Sequence, residues 1–226
     1  MRQIRPDLWE TRADAPAPGL TTHAYLWTPS APSTPSGAGN VVFYNTAGDD
    51  DLEEMARLGG VAHQYLSHQD EVAPMLATYR QRFGAVLHAS AAEADAVAKV
   101  QAPDVTFTER HVDANGVEVI PTPGHTPGST CFLVSGVDGL TYLFTGDTLF
   151  RDDRGRWRAG YLPFSDAEDL LASLDVLAGL EPDLVASSAF AGDAGVHLLG
   201  DTSWADCVEE ARTSLERHLA RSSEPG

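Results

Sequence analysis

The spacing of apolar positions changes several times along the chain, and each change marks an element. Ala24 to Trp27 and Val41 to Tyr44 are short apolar runs of strand length. Between them, Pro29 through Gly39 reads P-S-A-P-S-T-P-S-G-A-G. That composition suits neither a helix nor a central strand, and it predicts a long surface connection across a hairpin. Asp49, Asp50 and Asp51 then precede Leu52, Met55, Ala56 and Leu58, with Gly59-Gly60 as a stop, which predicts an amphipathic helix with an acidic start. A strand over Val61 to Leu66, a helix over Ala73 to Phe83, a strand over Ala85 to Leu87 and an Ala-rich helix opening at Ser90 continue a β-α-β-α alternation.

From Val105 the texture turns to short strands. Val117, Val119 and Ile120, then Thr130 to Val134, then Leu140 to Phe144 are separated by Asn115-Gly116 and Asp138-Gly139, so antiparallel hairpins are expected. A helix over Asp166 to Leu177 opened by Ser165, a strand over Leu184 to Ala186 and a helix over Trp204 to Leu219 complete the pattern. No internal repeat is visible. The expectation is one mixed α/β domain over residues 1–226.

Composition narrows the partners. Hydrophobic residues make up 42% of the chain, enough for a core, and the formal charge is -18 from 33 acidic and 15 basic side chains. Such a surface repels phosphate backbones and anionic membranes, so neither nucleic acid nor membrane is expected, and a small-molecule substrate is. Cys131 and Cys207 form no C-x-x-C pair and read as buried thiols. Met1 to Glu10 is charged and lacks an apolar core, and no window approaches the ~18 apolar residues of a membrane span. A cytoplasmic protein is the expectation.

Three segments concentrate metal-capable side chains, each just after a predicted strand. S-H-Q-D-E carries His68, Asp70 and Glu71; P-T-P-G-H-T-P-G-S presents His125 on a turn set by Pro123, Gly124, Pro127 and Gly128; F-T-G-D-T-L-F places Asp147 after Gly146 at a strand end. Two imidazoles with carboxylates meet the needs of a divalent ion that activates water. Singly, each segment also has a plain structural use as a cap or turn. Their order, spacing and placement at strand ends give them joint weight.

Together the three segments resemble those of the metallo-β-lactamase superfamily, whose members carry H-x-H-x-D-H after one strand, a P-G-H-T-P-G-S-type loop and a G-D-T-L-F-type strand end. The resemblance spans most of the chain and implies a four-layer αββα sandwich with the metal at one sheet edge. The first motif departs from the pattern: Leu66 and Glu71 stand where imidazoles are usual, and Ser187 to Phe190 reads S-S-A-F where a last histidine is expected. The implied centre is a depleted one. It holds one divalent ion, Zn, Fe or Mn, on His68, His125 and Asp147, with Glu71 or Asp70 completing the shell. A second, weaker, oxygen-rich position would rest on Asp70, Asp147 and Glu71, a set that favours Mn²⁺, Mg²⁺ or Fe²⁺ over Zn²⁺.

The resemblance implies a metal-dependent hydrolase of a small ester, thioester, lactone or related substrate, with Asp70 as the catalytic base. Two alternatives stand beside it: a non-haem iron oxidoreductase on the same ligands, and a catalytically silent binding or scaffold protein that keeps the fold. His63, His197 and His23 are not counted as ligands; His63, five residues before His68, faces the other side of a regular strand. Arg151 to Gly160, R-D-D-R-G-R-W-R-A-G, is the one basic concentration. It reads either as a lid gripping an anionic substrate or as a solvated loop paired with its own aspartates.

Overall fold

Successive side chains of a strand point to opposite faces, and here both faces of two sheets are buried. The computed structural model describes residues 1–29, 39–190 and 195–222. The connection expected from Pro29 to Gly39 therefore falls outside the described residues over 30–38. The first sheet has seven strands in the order β1 (Arg2–Arg5), β2 (Leu8–Glu10), β5 (Tyr25–Trp27), β6 (Val41–Phe43), β7 (His63–Tyr65), β8 (Val86–Ser90) and β9 (Val105–Phe107). The second has six: β10 (His111–Val112), β11 (Glu118–Pro121), β12 (Thr130–Ser135), β13 (Thr141–Gly146), β16 (Leu184–Ser187) and β18 (Val196–Leu198). Two small sheets join β14 (Leu149–Arg151) to β15 (Trp157–Ala159), and β17 (Ala189–Phe190) to β4 (Leu20–Thr22) and β3 (Asp14–Ala17).

Tyr25, Phe43 and Tyr65 of the first sheet meet Val119, Phe132, Phe144 and Ala186 of the second in one core, and the rings of Phe43 and Phe144 stack at 4.0 Å. Their strand neighbours face outward. Leu26 and Val42 pack with α1 (Leu52–Arg57) and α2 (Met75–Phe83); Ile120, Cys131, Leu143 and Val185 pack with α4 (Ala167–Ala178) and α5 (Trp204–Ser222). Helix, sheet, sheet and helix give the four-layer αββα sandwich.

Two local outcomes differ from the expected elements. Ser90 does accept a hydrogen bond from Ala92 N, yet the Ala-rich segment makes only a 3₁₀ turn over Ala91–Glu93 and the one-turn helix α3 (Ala94–Val97). Helices draw their stability from an apolar face, and apart from alanine this segment offers Val97 alone to the core. At α4 the cap is Asp166, whose Oδ1 accepts from the backbone of Glu168 and Asp169. Ser165 is used elsewhere: its hydroxyl accepts from Leu162 N and donates to His125 O.

Strands β6 to β9 run parallel, as do β13 and β16, so the C-terminal ends of several strands gather at one edge of the sandwich. Loops at such an edge stand on a rigid support. Among the described residues, no helix is long and apolar enough to cross a membrane.

Candidate metal centre

The site is assembled where β7, β13 and β16 end and the β11–β12 loop folds over them. Ser67 fastens the end of β7 to the second sheet, its carbonyl accepting from Thr130 N at 2.9 Å and its hydroxyl donating to Thr130 O at 3.0 Å. His68 follows in extended conformation, and a 3₁₀ turn over Gln69–Glu71 brings Glu71 back beside it. The P-T-P-G-H-T-P-G-S loop is held by its own bonds, Thr122 N to Ser129 O and Thr126 N to Ser129 Oγ. From outside, α4 clamps it through Asp166 N to Gly124 O and Ser173 Oγ to Pro123 O. Gly124 has φ +130, and a Cβ there would lie 2.3 Å from Leu170 N, so only glycine lets the helix approach so closely.

His68, Asp70 and His125 each bring a ligand-type atom within 4.8 Å of the others. Asp147 adds to them: its Oδ2 lies 3.5 Å from His68 Nε2 and 3.7 Å from His125 Nε2. Asp70 Oδ2 is 3.7 Å from His125 Nε2, and its side chain is 44% exposed where the other three are mostly buried. Glu71 is placed differently from the rest. Its Oε1 faces His68 Nδ1 at 3.4 Å, on the side of the ring away from Asp147, and its Oε2 accepts from Ser67 N. The expectation that Glu71 faces an ion together with the other carboxylates therefore gives way to a position behind His68. The cause is local: the i,i+3 spacing in a 3₁₀ turn and the Ser67 N–H fold the carboxylate onto Nδ1.

The tautomer of His125 is fixed by its partner. Nδ1 lies 2.7 Å from the carbonyl oxygen of Gly160, which can only accept, so Nδ1 carries the proton and Nε2 presents a lone pair. That Nε2 is buried without a hydrogen-bond partner among the described residues. A buried bare lone pair pointing at carboxylates asks for a cation, and the donor set fits a divalent ion. Burial and the nearby His68 lower the His125 pKa, which keeps it neutral. Burial also opposes charge on His68, but Asp147 and then Glu71 outweigh it and raise its pKa to about 9. Burial raises the Glu71 carboxyl to about 8, against the pull of His68 and Ser67 N. For Asp147 burial pushes upward too, yet His68 and His125 hold it well below the usual carboxylate range. The cluster as a whole calls for positive charge.

Four contributors are not legible in the sequence. Ser188, within the S-S-A-F stretch, donates to Asp147 Oδ1 at 2.5 Å, and Ala189 N donates to the same oxygen at 3.2 Å. Gly160 supplies the carbonyl to His125, and a Cβ there would sit 1.9 Å from Asp147 O. Tyr44, with φ 70, reaches across to donate to Ala186 O at 2.7 Å and accept from Gly146 N at 2.8 Å, directly beneath Asp147. Only the unusual position of Tyr44 at the end of an apolar run hints at it.

The histidines set aside lie elsewhere. His63 is paired with His88 at 3.0 Å on the inner face of the first sheet, His23 stacks on Phe190, and His197 sits edge-on to Trp157. The arginines of Arg151 to Gly160 follow the solvated-loop reading. Arg156 and Arg158 bind Asp152, and Arg151 binds Gly155 O, so the hairpin gives the site its Gly160 backbone and none of these three guanidiniums.

The sequence model of the metallo-beta-lactamase superfamily matches residues 51–189, more than half of the chain. A hydroxyacylglutathione hydrolase of Albidiferax ferrireducens is 47% identical over 66 residues, covering 29% of this chain and 24% of the relative. The chain thus spans about a quarter of the length of the curated relatives of that name which it matches. Among solved structures, a metallo-beta-lactamase from Pontibacter korlensis superposes with TM-score 0.69 at 18% identity, over 95% of this chain and 97% of that one. A B3 metallo-beta-lactamase described as having an active site glutamic acid gives TM-score 0.65 at 18% identity, over 92% and 90%.

Proposed function

Because the chain belongs to the metallo-beta-lactamase superfamily, we propose that it is a metal-dependent hydrolase of a small ester, thioester or lactone. One divalent ion would be held by His68, His125 and Asp147, with Asp70 at the open side. The observation that carries this reading is the buried Nε2 of His125, bare among the described residues and facing Asp70 and Asp147, each at 3.7 Å. Two imidazoles with carboxylate oxygens suit Zn, Fe or Mn. When bound, such an ion supplies Lewis-acid polarisation of a carbonyl oxygen and acidifies water.

The residues divide the remaining work. Gly160 O holds the proton on His125 Nδ1, and Glu71 orients His68 from its Nδ1 side, so that both Nε2 atoms face inward. Ser188 and Ala189 occupy Asp147 Oδ1 and leave Oδ2 to face the histidines. Asp70, the exposed carboxylate of the group, accepts the water proton at an oxygen and later returns it to the leaving group. The likeness to a hydroxyacylglutathione hydrolase of Albidiferax ferrireducens supports hydrolysis of an acyl bond.

Elemental analysis of the purified protein tests the reading. About one equivalent of metal is expected, and His125→Ala should abolish it together with cleavage of a p-nitrophenyl ester. Full metal content in the variant would refute the ligand assignment. Metal that never binds, even on reconstitution, would refute the hydrolase.

A further inference from the structure

Beside the metal cluster lies a cavity of about 320 Å³ that has His125 and Asp147 as its polar end. Its walls come from Leu20, Phe150, Ala159, Tyr161, Leu162 and Phe190. Leu20 and Leu162 remain exposed, and so does Phe164, whose ring lies 6.4 Å from that of His125. Exposed large apolar side chains collected at the mouth of a site mark a surface built to be covered by an apolar group.

The charges around this cavity are as informative as its walls. Among the described residues, no lysine or arginine lines it. In the adjoining hairpin, Arg151 is committed to Gly155 O and the face of Trp157, and Arg156 and Arg158 to Asp152. Arg156 and Arg158 open instead onto a separate groove against α5. Residues 30–38 and 191–194 contain no lysine, arginine or histidine. A carboxylate or phosphate held among the apolar walls, away from the ion at the polar end, would be desolvated and unpaired in a chain of net charge -18.

We propose that the cavity binds an uncharged, apolar part of the substrate, a short aliphatic or aromatic group flanking the scissile ester, thioester or lactone, and that it rejects acyl groups attached to an anionic carrier. The inference rests on the hydrolase reading and narrows its substrate. At about 30 Å³ per heavy atom, the share of one liquid water, the space takes on the order of ten heavy atoms. The polar end then meets the carbonyl, and the walls hold the hydrocarbon.

The test uses two unreactive ketones of equal length, neutral 2-octanone and anionic 7-oxooctanoate, titrated against the metal-loaded protein by ¹⁵N NMR. The neutral ketone should bind at least tenfold more tightly, with shifts at Tyr161, Leu162 and Phe190, and each methylene removed should weaken it by up to about fourfold. Leu162→Arg, at an exposed position, should narrow or reverse the preference, and Leu20→Arg serves as a second such variant. Equal or tighter binding of the carboxylate by the unmodified protein, shifts elsewhere, or no change of preference in both variants would overturn the proposal. Because binding is read without turnover, a protein that binds the ketone as expected but cleaves no ester would sink the hydrolase reading and leave the cavity assignment standing.

Discussion

At the scale of single residues, Glu71 and Tyr44 decide more than their positions in the sequence suggest. Glu71 Oε1 faces His68 Nδ1 and, with Asp147, raises that imidazole to about 9. In the metal-free protein, Glu71→Gln should lower the His68 pKa, visible in an NMR titration of the ring. Losing an orienting carboxylate should also weaken metal binding by about 10- to 100-fold in a chelator competition. Unchanged values of both would remove Glu71 from its role. Tyr44 holds φ 70, where a bulky residue is strained by about 1–3 kcal/mol, and its hydroxyl ties Ala186 O to Gly146 N. Tyr44→Phe strands the buried Gly146 N–H and should cost about 1–3 kcal/mol in urea unfolding.

At the scale of elements, the His125 loop depends on α4. Asp166 caps the helix with its side chain while its backbone N–H bonds Gly124 O, and Ser165 bonds His125 O, so the helix N-terminus and the loop are one mechanical unit. Asp166→Ala should cost about 1 kcal/mol, a fall in Tm of a few degrees, and weaken metal binding in parallel. A variant that loses stability while binding metal as tightly as before would show that the helix supports the loop less than these bonds imply. The β14–β15 hairpin matters in a similar way, through the backbone of Gly160.

At the scale of the whole molecule, the end of the sandwich away from the metal cluster carries a second polar group within the core. His63 Nδ1 and His88 Nε2 lie 3.0 Å apart, His88 stacks on Tyr65 at 4.1 Å, and Asp113 accepts from Tyr65 while facing His88 Nδ1 at 3.6 Å. Burial lowers His63 and pushes His88 down to about 4. A histidine whose folded pKa lies below its unfolded value of 6.5 binds its proton more readily in the unfolded chain. Stability is therefore full above pH 6.5 and declines as pH falls from there toward 4. Between pH 7.5 and 5.5 His88 should account for a loss of about 1 kcal/mol. Urea unfolding at the two pH values checks this: His88→Gln should flatten the difference, and an equally steep variant would assign it to other groups.

Much of the fold was open to reading from the chain. Alternation in Val119-Ile120, Cys131-Phe132 and Leu143-Phe144 sends one residue to the inter-sheet core and the next to the helix layer, and period alone encodes that. The turn chemistry around His125 and the Gly-Asp end of β13 were legible for the same reason, since each is a local rule written in adjacent residues. By contrast, the hydroxyl of Ser188 on Asp147 and the Gly160 carbonyl on His125 join residues through packing. The sequence by itself determined which side chains were available and which strands end beside them. Only the tertiary structure decided which atom of each faces the centre, because orientation depends on partners 35 and 41 residues away that no local pattern records.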